Sequence, residues 1–442
     1  PRPSRDAAGV RHALSRVVPR CPALSRPSRG ATFRDMLHIR DPLWGSISVD
    51  PVAARLLDTP VIQRLRYVRQ LGLAHLVYPG ATHSRFEHAL GAYHLARRAV
   101  ALLGEAGALA GLPGDEGTVV TLAALLHDVG HYPFSHALEE IGAPHHEALA
   151  EALVTVGPVA DVLRGEVATD APERIVALIA GRSASPLQGL ISGSFDLDKI
   201  DYLQRDARMC GVTYGEVDED RLLQSMVILA DPATGRASVG ILEKGLSAVE
   251  TLLFAKYQMY RNVYWHHACR SATAMYKRIV ERAVERGAVG TSGLGSFTDE
   301  GLLHAVESGG GNDPMLAALR ERRLYKRAFE APAAALPAES LEWIADDRAR
   351  TREMEARIAA ALGMPADDVL LDFPAKTQML GLDLLIRARG GEVRRLTQEG
   401  LPGAINLPRL ADELYASARC LRVFTRERAD AGAAVRQLLT SA

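Results

Sequence analysis

The stretch from Thr121 to Glu139, TLAALLHDVGHYPFSHALE, holds the residues best suited to chemistry. Its first turns, Leu122 to Leu126, are apolar on every side, as a helix buried all round must be. The segment then runs into His127-Asp128, His131 and His136. A buried carboxylate beside a buried imidazole is costly unless something pairs with both. A divalent cation satisfies the two at once, because neutral imidazole and carboxylate are common transition-metal ligands. A His–Asp hydrogen bond at a helix end is the ordinary alternative. The neighbourhood decides between them: eight of the fourteen histidines, at 83, 88, 94, 127, 131, 136, 145 and 146, fall between His83 and His146. Packing alone does not explain that density, so the stretch predicts a metal site.

Helices must position these groups. Ser84 to Leu103 reads as a helix carrying Arg85, His88, Gly91 and Leu95 on adjoining turns. The loop Gly111 to Gly117 leads into the central helix, which Gly130 and Pro133 interrupt, with Ser135 placed to cap the next helix. Upstream, DPLWGSISVD suggests a turn and strand, and Pro51 to Gly72 is helical, with Pro60 opening a second helix capped by Asp58 or Thr59. His145-His146-Glu147 and Pro172 to Ala180 give two more helices. In Ser194 to Met209, Asp198, Asp201, Tyr202 and Arg205 fall on one helical face. Such a face is usually solvated, yet Phe195, Leu197 and Ile200 leave no clean apolar stripe opposite it.

Glu243 to Glu285 is a long helical region containing Tyr257, Tyr260, Arg261, Tyr264 and Trp265. Beyond about Pro332 come an Ala/Pro linker and a charged helix, Leu341 to Leu362. Candidate strands come next at Val369 to Phe373, Leu382 to Arg389, Glu392 to Leu396 and Cys420 to Phe424, with a helix at Leu407 to Ala418. The expected fold is mainly α: a helical core over 36–330 and a small C-terminal α+β lobe over 331–442. Residues 1–35, rich in Arg, Pro and Ser, read as a disordered extension rather than a transit peptide.

The bulk numbers exclude several classes. Net charge is −1, so no global attraction to nucleic acid or acidic membrane is implied. No apolar run approaches the roughly 20 residues that span a bilayer. The four cysteines form no CxxC pair, which excludes a zinc ribbon or disulfide framework and suits a reducing cytoplasm.

In order, the candidate ligands are His88, His127-Asp128 and Asp198. The arrangement resembles the HD-domain metal-dependent phosphohydrolases. The likeness extends to Asp58-Thr-Pro…Gln63-Arg-Leu-Arg66-Tyr, Gln70-Leu71-Gly72, His83-Ser-Arg85-Phe-Glu-His88, His127-Asp-Val-Gly-His-Tyr-Pro-Phe-Ser-His136 and Asp196-Leu-Asp198-Lys199-Ile-Asp-Tyr202…Asp206. These look like the deoxynucleoside triphosphate triphosphohydrolase branch, over roughly residues 36–330, whose core is all-α.

The resemblance implies hydrolysis of a dNTP to deoxynucleoside and triphosphate. The metal would be Fe, Mn, Zn, Co or Ni, with Mg a candidate for a second site. His136 stands where a proton donor or assisting base is expected, with Glu139 spaced to orient it. His131 and His146 resemble further active-site histidines. Arg85, Lys199 and Arg261 match phosphate-side cations, Gln70 and Leu71 the pair against the sugar edge, and Tyr202 and Asp206 the residues at ribose and the 3′ hydroxyl. Asp58, Gln63 and Arg66 resemble a guanine-reading regulatory set, with Arg322 and Lys326 on its phosphates. Activation by a guanine nucleotide and assembly into a dimer or tetramer are thereby implied. Two departures stand out: Trp44 replaces a usual histidine, and Cys269 a tyrosine near the base. The competing readings are an HD phosphohydrolase acting on another nucleotide and a non-catalytic nucleotide sensor or nucleic-acid-binding scaffold.

Overall fold

A computed structural model describes residues 36–194, 196–310, 312–336, 341–375, 383–396, 400 and 405–440. The expected N-terminal extension lies outside the described residues. A hairpin of β1 (Leu37–Asp41) and β2 (Gly45–Val49) precedes the helices; only its second strand is legible in the sequence. Asp50 opens α1 (Pro51–Leu57) by accepting from the Val52 and Ala53 amides. Thr59 stands at the N-cap of α2 (Pro60–Arg64), but its hydroxyl donates back to Leu56 O instead of capping, and Asp58 closes α1. The expected cap is therefore positional only.

The core is a helical stack. The long α3 (Arg85–Glu105) starts from a capping box of Ser84 and Glu87 and packs on α4 (Glu116–Leu126), which is buried along most of its length. A 3-10 turn, Ser135–Ile141, comes after it, then α5 (His146–Thr155), α6 (Pro158–Glu166) and α7 (Ala171–Ile179), which closes over α4 and α5. Next, α8 (Leu197–Cys210), capped by Asp196, lies against α3. The mixed polar face read from the sequence is not solvated: Asp201 and Arg205 are 0% and 1% exposed.

A short α9 (Glu219–Ser225) leads into β3 (Met226–Ala230) and β4 (Ala237–Leu242), neither expected from the sequence. The long helical region then divides into α10 (Leu246–Met259), a π-helical turn at Tyr260–Tyr264 and α11 (His267–Glu285). After α12 (Asp299–Ser308) and α13 (Pro314–Arg320), β5 (Lys326–Pro332) begins the sheet-rich part. The charged helix is broken at Asp347, which caps α15 (Arg348–Leu362) after the short α14 (Trp343–Asp346). The remaining elements are β6 (Val369–Asp372), β7 (Leu384–Arg387), β8 (Val393–Leu396), α16 (Leu407–Ala418), β9 (Cys420–Thr425) and α17 (Gly432–Thr440).

Besides the hairpin there are, among the described residues, two further sheets: β3-β4-β7-β8, with β4 parallel to β7, which ties mid-chain strands to later ones, and β5-β9-β6, drawn wholly from residues 326–425. Residues 37–442 form one compact unit, so residue 330 marks a change of composition and not a gap in packing. The fold is mainly α with small sheets, as the sequence predicts. Among the described residues no helix is long and apolar enough to cross a membrane.

Candidate active site

Four donors converge where α3, α4 and α8 meet. His88 lies in the first turn of α3, His127 and Asp128 end α4, and Asp198 lies in the first turn of α8. His88 Nε2 is 3.2 Å from His127 Nε2 and 2.9 Å from Asp198 Oδ1. His127 Nε2 is 3.3 Å from Asp128 Oδ1 and 3.4 Å from Asp198 Oδ1. Metal–ligand bonds of about 2.0–2.2 Å put neighbouring donors about 3 Å apart, so the spacing of His88, His127 and Asp128 fits one cation, with Asp198 Oδ1 beside both imidazoles. The tautomers agree: His127 Nδ1 lies 2.8 Å from Ala124 O and His88 Nδ1 2.8 Å from Asp201 Oδ2, each imidazole thus keeping Nε2 free as a ligand. Burial opposes charging of His88, yet the hydrogen bonds that Asp198 and Asp201 accept from it outweigh this and raise its pKa to about 10. Carboxylates that attract a proton this strongly would attract a divalent cation too.

Behind the ligands stands a network the sequence does not single out. Asp201 accepts from His88, from Arg205 at 2.9 Å and from Trp44 Nε1 at 2.5 Å, while Arg205 also reaches Asp41 at 2.8 Å. Burial raises the cost of its charge, but Arg205 and His88 hold the Asp201 carboxyl well below the usual range. Gly91 makes room: a Cβ there would lie 1.7 Å from Asp201 Oδ1. The i, i+3 spacing to Asp198 is the available sequence signal, but nothing in it distinguishes a ligand from the ligand's support.

The second cluster comprises His131, His136, Glu139 and His146, whose donor atoms lie within 4.8 Å of one another. The chain enters it through Phe134 and Ser135, both with left-handed φ of 56° and 65°. Ser135 is therefore no cap; its hydroxyl lies 2.8 Å from Arg69 O and accepts from Arg85 Nε at 3.1 Å. Asp299 braces the turn by accepting from the Phe134 amide at 2.7 Å and the Arg69 amide at 3.0 Å, and burial pushes its pKa up to about 6. Glu139 accepts from His146 Nδ1 at 2.8 Å and lies 3.5 Å from His136 Nδ1. Burial disfavours its charge, yet these two imidazoles hold the carboxyl far below its ordinary value. His136 is 60% exposed. His131 is buried, with Nε2 unpartnered among the described residues; burial and then Arg85 keep it neutral.

Both clusters open on one cavity of about 720 Å³, lined also by Gln70, Leu71, Arg85, Lys199, Tyr202 and Asp206. Gln70 Oε1 is buried without a partner among the described residues. Asp206 is held by His83 and Tyr264, each at 2.7 Å. Arg85 is paired with Asp128 at 2.5 Å and Lys199 with Asp196 at 2.5 Å. Arg261 is the exception. It is exposed, bonded to Tyr257 OH at 2.7 Å and outside the cavity lining. The π turn explains this: its extra residue turns Tyr260, Val263 and Tyr264 toward the cavity and leaves Arg261 outward. Lys256, which the sequence reading does not select, lines the cavity instead. Its only signal is a lone charge after the apolar run Leu252–Ala255.

The residues expected to read a regulatory nucleotide lie apart from the cavity lining. Asp58 is exposed and its carboxylate has no partner among the described residues. Arg66 stacks 3.6 Å from the Phe86 ring and donates to Gln63 Oε1 at 2.9 Å. Arg322 adopts left-handed φ and donates to Leu76 O, and Lys326 starts β5, exposed.

A family model described as an HD domain matches residues 85–206, and one described as an HD associated region matches residues 217–400. An uncharacterised protein of Methanocaldococcus jannaschii is 32% identical over 292 residues, covering 66% of this chain and 59% of its own. The deoxynucleoside triphosphate triphosphohydrolase SAMHD1 of Homo sapiens is 32% identical over 213 residues, 40% of this chain and 34% of its own. The crystal structure of a phosphohydrolase from Bacteroides thetaiotaomicron shares the fold at TM-score 0.69 and 22% identity, covering 89% of this chain and 100% of that one. The chain spans little more than half the length of the curated relatives it matches first, 59%, 53% and 55%. The chain thus carries an HD domain followed in series by an HD associated region, and deoxynucleoside triphosphate triphosphohydrolases are among its relatives.

Proposed function

We propose that this chain is a metal-dependent phosphohydrolase that cleaves deoxynucleoside triphosphates to deoxynucleoside and triphosphate. The observation that carries the reading is the gathering of His88, His127, Asp128 and Asp198 beside a separate histidine–glutamate cluster on one cavity. A bound divalent cation would polarise a phosphate oxygen and lower the pKa of water. His136 then manages a proton at the reacting end, its Nδ1 oriented by the ionised Glu139 and its other face exposed to the cavity. His131, kept neutral, offers a bare Nε2 to a phosphate hydroxyl or water. At the nucleoside end, Tyr202 and Asp206 face the sugar, and Gln70 and Leu71 form the wall that excludes a 2′ hydroxyl.

The guanine-nucleotide switch belongs to the same proposal. The free carboxylate of Asp58 can accept from the N1 and N2 donors of guanine, while the preformed Gln63–Arg66 pair can face its acceptors. A dimer or tetramer would bring Arg322 and Lys326 to that nucleotide's phosphates. The test is a panel of the four dNTPs, nucleoside monophosphates, a cyclic dinucleotide and an alarmone, offered to metal-loaded chain with and without GTP. Release of triphosphate from dNTPs supports the reading; turnover confined to another class, or none, refutes it.

A further inference from the structure

Among the described residues, four lysine and arginine side chains line the cavity: Arg85, Lys199, Lys256 and Arg270. Three are already neutralised by carboxylates. Arg85 is paired with Asp128, Lys199 with Asp196 and the Gly193 carbonyl, and Arg270 with both Glu140 and Asp372. Lys256 differs. Its side chain is on the cavity wall and the residue is 5% exposed, yet no carboxylate or hydrogen-bond acceptor pairs with it among the described residues. The ammonium lies 5.7 Å from the centre of the Tyr260 ring, near the limit of a cation–π contact. On a residue this buried, an ammonium that no carboxylate neutralises is costly in the free protein, and an anionic ligand is what would offset that cost. Burial, and then the charge of Lys199, pulls its pKa down to about 7, with Asp196 and Asp198 acting in the opposite sense.

We propose that Lys256 is the cavity's receptor for the distal phosphates of the substrate, the position assigned to Arg261 from the sequence. Resting on the dNTP reading above, it names the one cavity cation, among the described residues, that no carboxylate neutralises. An ammonium offers three donors as a compact charge, which suits a polyphosphate tail better than the planar base or sugar. Arg85 and Lys199 then serve chiefly as partners of Asp128 and Asp196. Arg261, facing away, plays no part in binding.

The test uses the full chain and two probes, inorganic triphosphate and deoxyadenosine, with calorimetric titration of each. Lys256→Met should weaken triphosphate binding roughly 10- to 100-fold, as loss of a charge-assisted hydrogen bond implies, and leave deoxyadenosine unchanged. Lys256→Arg should keep triphosphate affinity within a few-fold, and Arg261→Met should alter neither probe. If Lys256→Met melts below wild type, the uncharged Lys256→Gln chain gives the same reading. Unchanged triphosphate affinity in the uncharged variants, or its loss in Arg261→Met, overturns the assignment. The two proposals fail separately. A wild-type chain that binds triphosphate through Lys256 but cleaves no dNTP loses the reaction and keeps the subsite. One that cleaves dNTPs with the same KM after Lys256→Met keeps the reaction and loses the subsite.

Discussion

Two histidine clusters face the same cavity and are held in opposite ways. His88, His127, Asp128 and Asp198 sit at the ends of packed helices, and each imidazole has its second nitrogen tied to a carboxylate or carbonyl. His136 and Glu139 stand on a 3-10 turn entered through two left-handed residues, with His131 in the loop before it and His146 opening the helix after it. Residues held in that backbone region each cost of order 1–3 kcal/mol, which the brace from Asp299 must offset. In the first cluster His88 is wholly buried; in the second His136 is mostly exposed. The difference suits different tasks. A cation needs donors that cannot relax, whereas a proton carrier needs access to solvent and one firm acceptor behind it.

Breaking the first cluster should have the largest effect. His127→Ala and Asp128→Ala should each abolish turnover and metal binding, measured by metal analysis of the purified chains beside dNTP hydrolysis. Stoichiometric metal with unchanged rates in both would contradict the cradle. Breaking the second should separate chemistry from metal: His136→Ala should keep its metal and lose about 10²–10⁴ in kcat, the range for a general acid or base. Near wild-type kcat would remove His136 from the reaction.

The support behind the first cluster comes next. Asp201→Asn keeps the shape but weakens the acceptor for His88, so metal affinity should fall about 10- to 100-fold in competition with a chelator. Equal affinity would mean that the helices alone orient the imidazole.

In the first cluster His127 and Asp128 are legible because they end an apolar run, whereas His88 and Asp198 enter through the resemblance of the whole pattern. Leu407–Ala418 and Cys420–Thr425 are likewise readable from periodicity, and the structure reproduces both nearly to the residue. Less visible is anything decided across the chain. Asp201 and Trp44 are 157 residues apart and meet only when α8 folds against the N-terminal hairpin. The strands Met226–Ala230 and Ala237–Leu242 pair with each other as a hairpin that the sequence reading misses, and only the second also pairs with the distant Leu384–Arg387. Arg261, placed on the phosphate side by the resemblance, lies outside the cavity lining beside a π turn that helical periodicity does not signal.

A smaller effect concerns stability and pH. In the folded chain Lys256 loses its proton near pH 7, against 10.5 ordinarily, so the unfolded chain binds more protons between those values. Stability should therefore rise as pH climbs through that window, with the cost of the buried charge complete below it. Lys256→Met should thus melt above wild type at about pH 6 and converge with it at about pH 10, read by thermal denaturation. A gap independent of pH would contradict the buried ammonium. The smallest expected effect is regulatory: Asp58→Ala and Arg66→Ala should keep basal turnover and lose the response of rate and sedimentation to GTP. Responses equal to wild type would refute the guanine site.

The central claim is that the four-donor cradle directs water onto the α-phosphorus of a dNTP. Hydrolysis in ¹⁸O-labelled water, with mass spectrometry of both products, tests it most directly. Attack there forms a new P–O bond to the water oxygen while the 5′ oxygen leaves with the nucleoside. One label should appear in triphosphate and none in deoxynucleoside, with no product from the His127→Ala chain. Label in a nucleoside monophosphate, a diphosphate or the deoxynucleoside would contradict the account.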